Sequence, residues 1–411
     1  MTISDFRRVL AAEVVSNFGS MLSRLAIPWL ATLALNATPF EMGLLLVAHV
    51  VAGAFGSLLL GAMVDRLGKR SVMLTTDVAR AVLLTLLTWL AVAHQLSMWM
   101  LVLVGGAVGL LTVMFELARS AWVAQRVAAA QLPARNAQIS AGASLAETAA
   151  FALGGWLYQW LGAVLALLID AASYVVSALC LRGVHEVEVA STPLRPRQNP
   201  GALLTDATVG VTAVVGEPTL RALASIEVLL ALGMSLSGTS YMIFVARDIG
   251  FNTGVLGLIF ATGGIGSMVG AAMAPRLGRR SSSGGAILLG LVLLALGASC
   301  IPLAPGATLV GAGLLVAHQV VGDGGHTVYD VHDRTLRQTL VAPNLLARAD
   351  AGIRTLGQLA TLLGAIAGGA LATSFGARQA LALSAALFAT AAVVAYLRFG
   401  RRQDATPGMG T

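Results

Sequence analysis

The sequence predicts an all-α integral membrane protein with twelve transmembrane helices in two pseudo-symmetric six-helix bundles. Three observations indicate this fold class. The 411 residues are 57% apolar and 11% charged, with a mean hydropathy of +0.83, whereas about 25% of the residues in a soluble domain are charged. Twelve apolar runs approach the length of about 20 residues that a membrane-spanning helix needs. A basic motif also recurs half a chain later. Most of the surface is therefore expected to face lipid.

Each predicted span is an apolar run bounded by charged residues or by Pro and Gly. The first six runs are 5–35, 40–64, 72–93, 98–122, 137–160 and 163–181. The second six are 219–245, 254–274, 284–301, 307–329, 353–375 and 378–397. The long polar stretch 185–216 contains Pro193, Pro196 and Pro200 and is expected to be a linker. The predicted organisation is therefore 1–184 and 217–411 as six-helix bundles, joined by 185–216 as a cytoplasmic linker.

The first run follows Arg7 and Arg8 as in a secretory signal, but it is longer than the apolar core of a signal peptide, so we expect an uncleaved first span. An even number of spans places both termini on one side of the membrane. Basic residues are concentrated on that side, whereas the opposite loops hold little besides Arg247 and Arg378. This asymmetry predicts that both termini are cytoplasmic in a multi-pass protein of the cell (inner) membrane. The net charge of +7 is thus explained by topology and does not indicate a nucleic-acid partner.

An internal repeat links the two halves of the chain. The run Arg66-Leu-Gly-Lys-Arg-Ser71 after the second span recurs as Arg276-Leu-Gly-Arg-Arg-Ser281 after the eighth, at an offset of 276 − 66 = 210. Because each half has six spans, the second copy begins on the same side of the membrane as the first. Repeats of this kind are related by an axis along the membrane normal. Such halves can enclose a central cavity and rock against each other.

The first copy of the motif carries a family resemblance. Its residues Gly61, Asp65, Arg66, Gly68, Lys69 and Arg70 resemble the signature loop of the major facilitator superfamily. The segments Phe6-Arg7-Arg8, Ala118-Arg119-Ser120-Ala121 and Leu336-Arg337-Gln338 are similar to the macrolide-efflux and siderophore-exporter branch of drug:proton antiporters.

The resemblance implies that this loop latches the cytoplasmic side while the outer side is open. Asp65 could then receive backbone N–H bonds at the amino end of a neighbouring helix. An ordinary basic loop is the alternative for the first copy. Pro275 stands where the second copy would have the Asp, and charge asymmetry is a sufficient explanation of its arginines.

Several ionisable residues lie within the predicted spans, where each costs roughly 2.5–3.5 kcal/mol at the helix centre and needs a partner, water or a task. Asp323, His326 and Asp330 follow an i, i+3, i+7 pattern on one helical face. Histidine titrates near neutral pH and can share a proton with a carboxylate. This stripe could couple protons or bind a cationic substrate. It could also form a structural network or, since Asp and His are acceptable ligands, hold a divalent metal.

Other intramembrane charges extend the set of candidates. Glu147 and Glu227 are lone acids and the next proton-coupling candidates, and Glu13 and Arg24 in the first span are candidate cavity residues. Asp77/Arg80 and Glu116/Arg119 are both spaced i, i+3 with opposite sign, so each pair can neutralise itself. Glu116 and Arg119 form the predicted gate pair, with plain neutralisation as the alternative.

The motifs point to transport rather than catalysis. The chain has no phosphate-binding P-loop, nucleophile elbow or zinc-protease helix, so we expect no enzymatic activity, cofactor or assigned metal site. The resemblance implies a secondary transporter with alternating access, exporting a small amphiphilic compound such as a drug, macrolide or siderophore in exchange for protons. The Gly-Pro that exporters of this superfamily often carry in the fifth span is replaced by Ala150-Phe151.

Alternative functions stay open. Within the transporter class they are an importer or a divalent-metal exporter, and outside it a non-transporting receptor or assembly partner. The expected partners are the bilayer, protons and a small-molecule substrate, and the sequence predicts no oligomeric state.

Overall fold

The computed structural model describes residues 3–128, 131–185, 217–280, 282–340 and 343–400, and these form twelve helices. The all-helical fold class is therefore confirmed. The helical segment Leu132–Arg182 is interrupted at Gly162, and we name the limb before the break α5 and the limb Gly162–Arg182 α6. The other first-half helices are α1 (Ile3–Trp29), α2 (Pro39–Arg66), α3 (Lys69–Val92) and α4 (Met98–Arg126). The second-half helices are α7 (Pro218–Ile243), α8 (Thr253–Arg280), α9 (Ser283–Leu303), α10 (Leu309–Ala317 and Asp323–Leu340, joined by the π-helical turn His318–Gly322), α11 (Pro343–Phe375) and α12 (Ala377–Phe399).

Eight of the described helices are long and apolar enough to cross a membrane. They lie in α3, α4, α6, α7, α8, α9, α11 and α12. Two helices extend well beyond the predicted spans, since α10 continues past residue 329 to Leu340 and α11 begins at Pro343. The predicted spans ended at charged residues, but charge alone does not end a helix. In α10 the pairs Asp330–Arg334, at 3.0 Å, and Asp333–Arg337 are spaced i, i+4 and stabilise the polar turns.

The chain divides into two compact units. The N-terminal unit contains α1 to α6 and Asn252–Leu258, and the C-terminal unit contains α7 and the chain from Ile259 onward. In the N-terminal unit α1 and α3 pack on the α5–α6 segment, and α2 and α3 pack on α4. In the C-terminal unit α7 packs on α11 and α12, and α9 packs on α10 and α12. Residues 186–216 of the predicted linker lie outside the described residues, and the predicted domain limits remain a prediction.

The two units repeat the same local geometry at a constant separation. Helices α1 and α7 both end in a π-helical turn, Leu30–Ala34 and Phe244–Asp248. Each turn is followed by a residue of positive φ, Asn36 (52°) and Gly250 (81°). The separation is 214 residues in both cases (244 − 30, 250 − 36). Because π turns are rare, their coincidence indicates a duplicated unit.

The same separation joins other helix ends. The side chains of Thr38 and Asn252 accept backbone N–H bonds from Glu41 and Val255 at the starts of α2 and α8. The breaks between α5 and α6 and between α11 and α12 fall at Gly162 (φ 75°) and Gly376 (φ 94°). Both pairs are 214 residues apart (252 − 38, 376 − 162). The repeat therefore extends beyond the π turns to the starts and ends of other helices.

This register corrects the interpretation of the second basic motif. The sequence offset of 210 predicts that both copies lie in the loop after a helix. In the N-terminal unit α2 ends at Arg66 and Gly68 is the N-cap of α3, so the motif spans the loop. In the C-terminal unit α8 continues to Arg280, so Arg276 to Arg280 lie within the helix. The second copy is thus displaced by about one helical turn and is not a loop.

The start of α7 is capped by an acidic side chain. Glu217 is the N-cap of α7, and its carboxylate accepts the backbone N–H of Leu220 at 2.5 Å. Partial burial acts to raise the pKa of Glu217, but the N–H groups of Leu220 and Thr219 and the Arg398 guanidinium outweigh it and hold the pKa below its usual value. At neutral pH the carboxylate is therefore ionised and stabilises the helix start.

Candidate functional site

The predicted gate pair is replaced by an ion pair between helices. Arg119 of α4 donates to the carboxylate of Glu13 of α1, and Asn17 donates to the same oxygen at 3.2 Å. Glu13 is buried and Arg119 is half-buried, whereas Glu116 is exposed. The i, i+3 spacing allowed Glu116 to pair with Arg119, but the packing of α1 on α4 offers Arg119 a buried acid instead. The arrangement joins two helices of the N-terminal unit through opposite charges.

A second ion pair lies deep in the same unit. The expected pair between Asp77 and Arg80 of α3 forms, and the two residues are 0% and 3% exposed. Ser177 of α6 donates to the other carboxylate oxygen of Asp77 at 2.6 Å, and Arg80 donates to Thr112 of α4 at 3.2 Å. The pair therefore ties α3 to α4 and α6.

Aromatic rings and hydroxyl groups surround this pair. The Arg80 guanidinium lies 4.1 Å from the ring centroid of Tyr174 and 4.8 Å from that of Phe115, at distances typical of cation–π contacts. The Tyr174 hydroxyl bonds to Ser20 of α1 at 2.8 Å. Asp170, one turn before Tyr174 on α6, is 1% exposed. We name Asp77, Arg80, Asp170 and Tyr174 the N-terminal polar core.

The basic residues of the signature motif bind helix carboxyl ends within their own unit. Lys69 Nζ donates to the carbonyls of Val64, at 2.8 Å, and Leu67, at 3.1 Å, at the end of α2. Arg70 donates to the carbonyls of Leu181, at 3.1 Å, and Arg182, at 2.7 Å, at the end of α6. Cations at helix carboxyl ends are favourable because they satisfy free carbonyls and oppose the helix dipole. The side chains of Asp65 and Arg66 and the contacts of Gly61 lie outside the described residues.

The three residues of the predicted stripe on α10 make different contacts. Asp330 pairs with Arg334 at 3.0 Å and is 39% exposed at its side chain. The His326 ring is half-buried and lies 6.1 Å from that of Tyr329. Asp323 is half-buried, and among the described residues its carboxylate makes no ion pair. The described residues contain no group of three His, Cys, Asp or Glu side chains that could hold a metal ion.

Asp323 instead lies beside a cluster that the sequence did not reveal. A Cβ on Gly263 of α8 would clash with the Asp323 carboxylate and would lie 3.2 Å from Gln319 Nε2, so both side chains pack on this glycine. The Tyr241 ring of α7 lies 5.8 Å from Phe260 and 5.9 Å from His318. The Tyr241 hydroxyl and His318 Nδ1 are buried without a hydrogen-bond partner among the described residues.

Three members of this cluster lie at the π-helical turn of α10. The turn contains His318 and Gln319, and Asp323 follows its last residue. Single π turns inside helices often mark functional sites. Neutral polar residues such as Tyr241 and Gln319 leave no periodic pattern in an apolar span, so only their packing reveals them. We name Tyr241, Phe260, His318, Gln319 and Asp323 the C-terminal polar cluster.

The remaining candidates are scattered. Glu227 of α7 is half-buried and packs on Gly357 of α11, where an added Cβ would lie 3.1 Å from its carboxylate. Glu147 of α5 and Arg24 of α1 are exposed, and Arg24 contacts the sulfur of Met21 at 3.8 Å. Glu13 and Glu227 are 214 residues apart (227 − 13), which places them at equivalent positions of the two units.

Comparisons with known proteins agree with this architecture. Residues 9–328 match the model of the Major Facilitator Superfamily. A protein described as an uncharacterized MFS-type transporter, y4rN of Sinorhizobium fredii, is 27% identical over 410 residues, covering 98% of this chain and 96% of its own. Another so described, YfiS of Bacillus subtilis, is 24% identical over 386 residues, covering 90% of this chain and 87% of its own.

Solved structures share the fold at low sequence identity. The nucleoside transporter NupG superposes with a TM-score of 0.77 at 16% identity, covering 97% of this chain and 99% of its own. A bacterial homologue of the iron transporter ferroportin gives 0.68 at 17% identity, with 97% and 99% coverage. A bacterial homologue of the lysosomal transporter Spinster gives 0.71 at 14% identity and covers both chains fully. Two of these descriptions name different cargoes, nucleosides and iron, so the shared fold does not assign a substrate.

Proposed function

The chain belongs to the Major Facilitator Superfamily, and from this premise we propose that it exports a small amphiphilic compound in exchange for protons. It is a multi-pass membrane transporter rather than an enzyme. In the proposal the two bundles alternate access at the cell (inner) membrane, with both termini in the cytoplasm. The observation that carries the proposal is the Asp323 carboxylate, which lies in the predicted tenth span, 307–329, and makes no ion pair among the described residues.

The chemistry of Asp323 supports exchange. An ionised carboxylate without a counter-charge is expensive inside the membrane, so this group is stabilised either by a proton or by a cationic ligand. A group that holds a proton in one conformation and releases it in the other couples proton movement to the conformational change. Gln319 and the Tyr241 hydroxyl lie near enough to interact with it. The C-terminal polar cluster thus combines a charge that can be neutralised with polar groups that can bind a ligand.

The aromatic members of the cluster favour an amphiphilic substrate. Tyr241 and Phe260 present ring surface next to an acid and an amide, and small-molecule sites are commonly apolar surfaces with a few placed polar groups. Export rests on the resemblance of the Phe6-Arg7-Arg8 and Leu336-Arg337-Gln338 segments to the exporter branch. Among the intramembrane candidates, Glu227 and His326 are secondary, because Asp323 alone combines partial burial, a missing counter-charge and a π turn.

An ion pair and the signature motif of the N-terminal unit also have roles in the proposed transport. The Glu13–Arg119 pair joins α1 and α4 and serves as a gate contact that can break and reform during transport. The signature motif serves as a latch through Asp65, while Lys69 and Arg70 hold the ends of α2 and α6 in place. In this scheme the residues 185–216 link the two bundles and let them move.

The test is drug accumulation in cells and proton movement in liposomes. In cells that express the protein, accumulation of a panel of amphiphilic drugs is expected to fall. In liposomes that contain the purified protein, adding a transported drug is expected to release protons. Asp323→Asn is expected to reduce both signals at least tenfold, because the amide cannot exchange a proton. Asp330→Asn is the matched control and is expected to retain transport, because Asp330 is only partly buried and is paired with Arg334.

The outcomes separate the alternatives. Transport that survives in Asp323→Asn with its proton movement intact contradicts the assigned role of Asp323. A protein that moves neither drug nor protons and yet binds a protein partner supports the receptor alternative. Uptake driven by protons in the opposite direction supports an importer.

A further inference from the structure

The N-terminal polar core contains a carboxylate that the transport proposal does not use. Asp170 of α6 is 1% exposed. It packs directly on α1, because a Cβ on Gly19 would lie only 2.7 Å from its Oδ1. Ser173 Oγ lies 3.3 Å from the same oxygen while donating to the Asp170 backbone carbonyl at 2.7 Å. The side chain is therefore enclosed between two helices.

The charges of this core do not balance. It contains two carboxylates, Asp77 and Asp170, and one guanidinium, Arg80, all at most 3% exposed. Arg80 is paired with Asp77, and among the described residues Asp170 has no ion pair. The nearby Glu13–Arg119 pair is neutral by itself. An uncompensated buried charge costs several kcal/mol even after relaxation, so a negative Asp170 requires a positive partner.

A buried hydroxyl provides a second, independent observation. Ser23 of α1 is 5% exposed, and its Oγ makes no hydrogen bond of ordinary geometry to another described residue. It lies within interaction range of the Asp170 carboxyl group. Ser23 and Ser173 thus bring oxygen atoms to Asp170 from opposite helices. Buried polar atoms normally have a hydrogen-bond partner, and the group that this hydroxyl interacts with is the Asp170 carboxyl group.

We propose that Asp170 forms a buried site for one monovalent cation, H⁺ or Na⁺, between α1 and α6. The carboxyl oxygen atoms and the hydroxyl oxygen atoms of Ser23 and Ser173 provide the binding groups. The site lies within the N-terminal unit and is separate from the C-terminal polar cluster. It goes beyond the proposed transport function and does not rest on it.

The C-terminal unit shows what a neutral group does at this position. The equivalent of Asp170 is Ser384 (384 − 170 = 214), whose hydroxyl donates to the carbonyl of Gly233 at 2.7 Å. Gly233 is in turn the equivalent of Gly19 (233 − 19 = 214). A protonated carboxyl group has an O–H that can donate in the same way, whereas a carboxylate has none. The repeat therefore packs a neutral donor against this glycine in one unit and an acid in the other.

The test uses the full-length protein in liposomes and two readouts. Infrared spectroscopy at neutral pH detects the carbonyl stretch of a protonated carboxyl group. Thermal unfolding in NaCl compared with choline chloride detects bound Na⁺, because a ligand that binds the folded state raises the unfolding temperature. Asp170→Ser copies the C-terminal unit and removes the acid. Ser384→Ala is the matched control in the other unit.

A proton site predicts a protonated-carboxyl band that Asp170→Ser abolishes and Ser384→Ala retains, with no effect of Na⁺. A sodium site predicts no such band and an unfolding temperature that rises with Na⁺ in the wild type and in Ser384→Ala but not in Asp170→Ser. Neither signal in the wild type, or a signal unchanged in Asp170→Ser, overturns the proposal. If Asp170→Ser does not fold, Ser23→Ala serves instead, since loss of a binding oxygen must shift the band or weaken the Na⁺ effect. Both readouts are independent of transport, so failure here is distinct from failure at Asp323.

Discussion

The interiors of the two units have different side chains at equivalent positions, polar and charged in the N-terminal unit and mostly apolar in the C-terminal unit. The N-terminal polar core comprises Asp77, Arg80, Asp170 and Tyr174. At the constant separation of 214 residues the C-terminal unit has Leu291, Leu294, Ser384 and Phe388. The three apolar counterparts are at most 3% exposed and belong to one hydrophobic cluster. A six-helix unit of this architecture thus forms with an apolar core, so the buried ion pair is not required by the fold. Buried ion pairs are weak evidence for stability, so the two units provide a direct comparison of a charged and an apolar core.

The two units also differ in which helix carries the polar side chain at a second pair of equivalent positions. In the N-terminal unit His49 of α2 packs on Gly109 of α4, where an added Cβ would lie 3.2 Å from its Nδ1. The equivalent pair in the C-terminal unit is Gly263 of α8 and Asp323 of α10 (263 − 49 and 323 − 109, both 214). The polar group is therefore on the first helix of the pair in one unit and on the second in the other. The contact needs one glycine and one polar side chain, and it leaves open which helix carries each.

The largest expected effect comes from breaking the ion pair of the N-terminal core. Arg80→Leu or Asp77→Leu alone leaves one buried charge without its partner and is expected to destabilise the protein by about 3–5 kcal/mol. The double variant Asp77→Leu/Arg80→Leu copies Leu291 and Leu294 and is expected to recover most of that loss. The free energy of unfolding in mixed micelles measures both. A double variant as unstable as either single one would show that the apolar solution of the C-terminal unit does not transfer.

The apolar runs of the sequence and the charged or Pro and Gly residues that bound them were sufficient to predict twelve helices. The break between α5 and α6 was expected between residues 160 and 163 and falls at Gly162. The polar ends of α10 and α11 were not predicted, because hydropathy detects where a helix meets lipid and not where its hydrogen bonds end. The prediction that the second basic motif forms a loop was wrong for a related reason. A sequence that forms a loop in one unit lies within the longer helix α8 in the other.

The candidate sites were predicted where the pattern is local. Asp77 and Arg80 are three residues apart on one helix, and their pair forms. Arg119 bonds to Glu13, 106 residues away, and no sequence spacing reveals which helices pack together. Tyr241 and Gln319 are neutral and isolated in apolar runs, so no cost of burial marked them. The sequence could not show which side chains from different helices contact each other, because tertiary packing determines those contacts.

The helix junctions provide a test of the similarity between the units. Gly162 and Gly376 have φ values of 75° and 94° with ψ of 168° and 154°, a region that is essentially restricted to glycine. Gly162→Ala and Gly376→Ala are each expected to lower the free energy of unfolding by about 1–3 kcal/mol. Gly53→Ala and Gly264→Ala are the matched controls, because an added Cβ meets nothing within 4 Å there. They are expected to be neutral or to stabilise by up to about 1 kcal/mol. A large loss at one junction and none at the other would contradict their equivalence.

The smallest expected effect distinguishes the equivalent acids Glu13 and Glu227. Glu13→Gln removes a charge that Arg119 contacts directly, and the side chains are 8% and 17% exposed. Its cost is expected to be about 1–2 kcal/mol, between the values typical of exposed and buried pairs. Glu227→Gln removes a half-buried acid without an ion pair among the described residues and is expected to cost less than about 0.5 kcal/mol. Chemical unfolding of the single variants and of Glu13→Gln/Arg119→Gln measures the difference. If the double variant loses the sum of the single losses, Glu13 and Arg119 are not coupled, and the acids of the two units then differ only in burial.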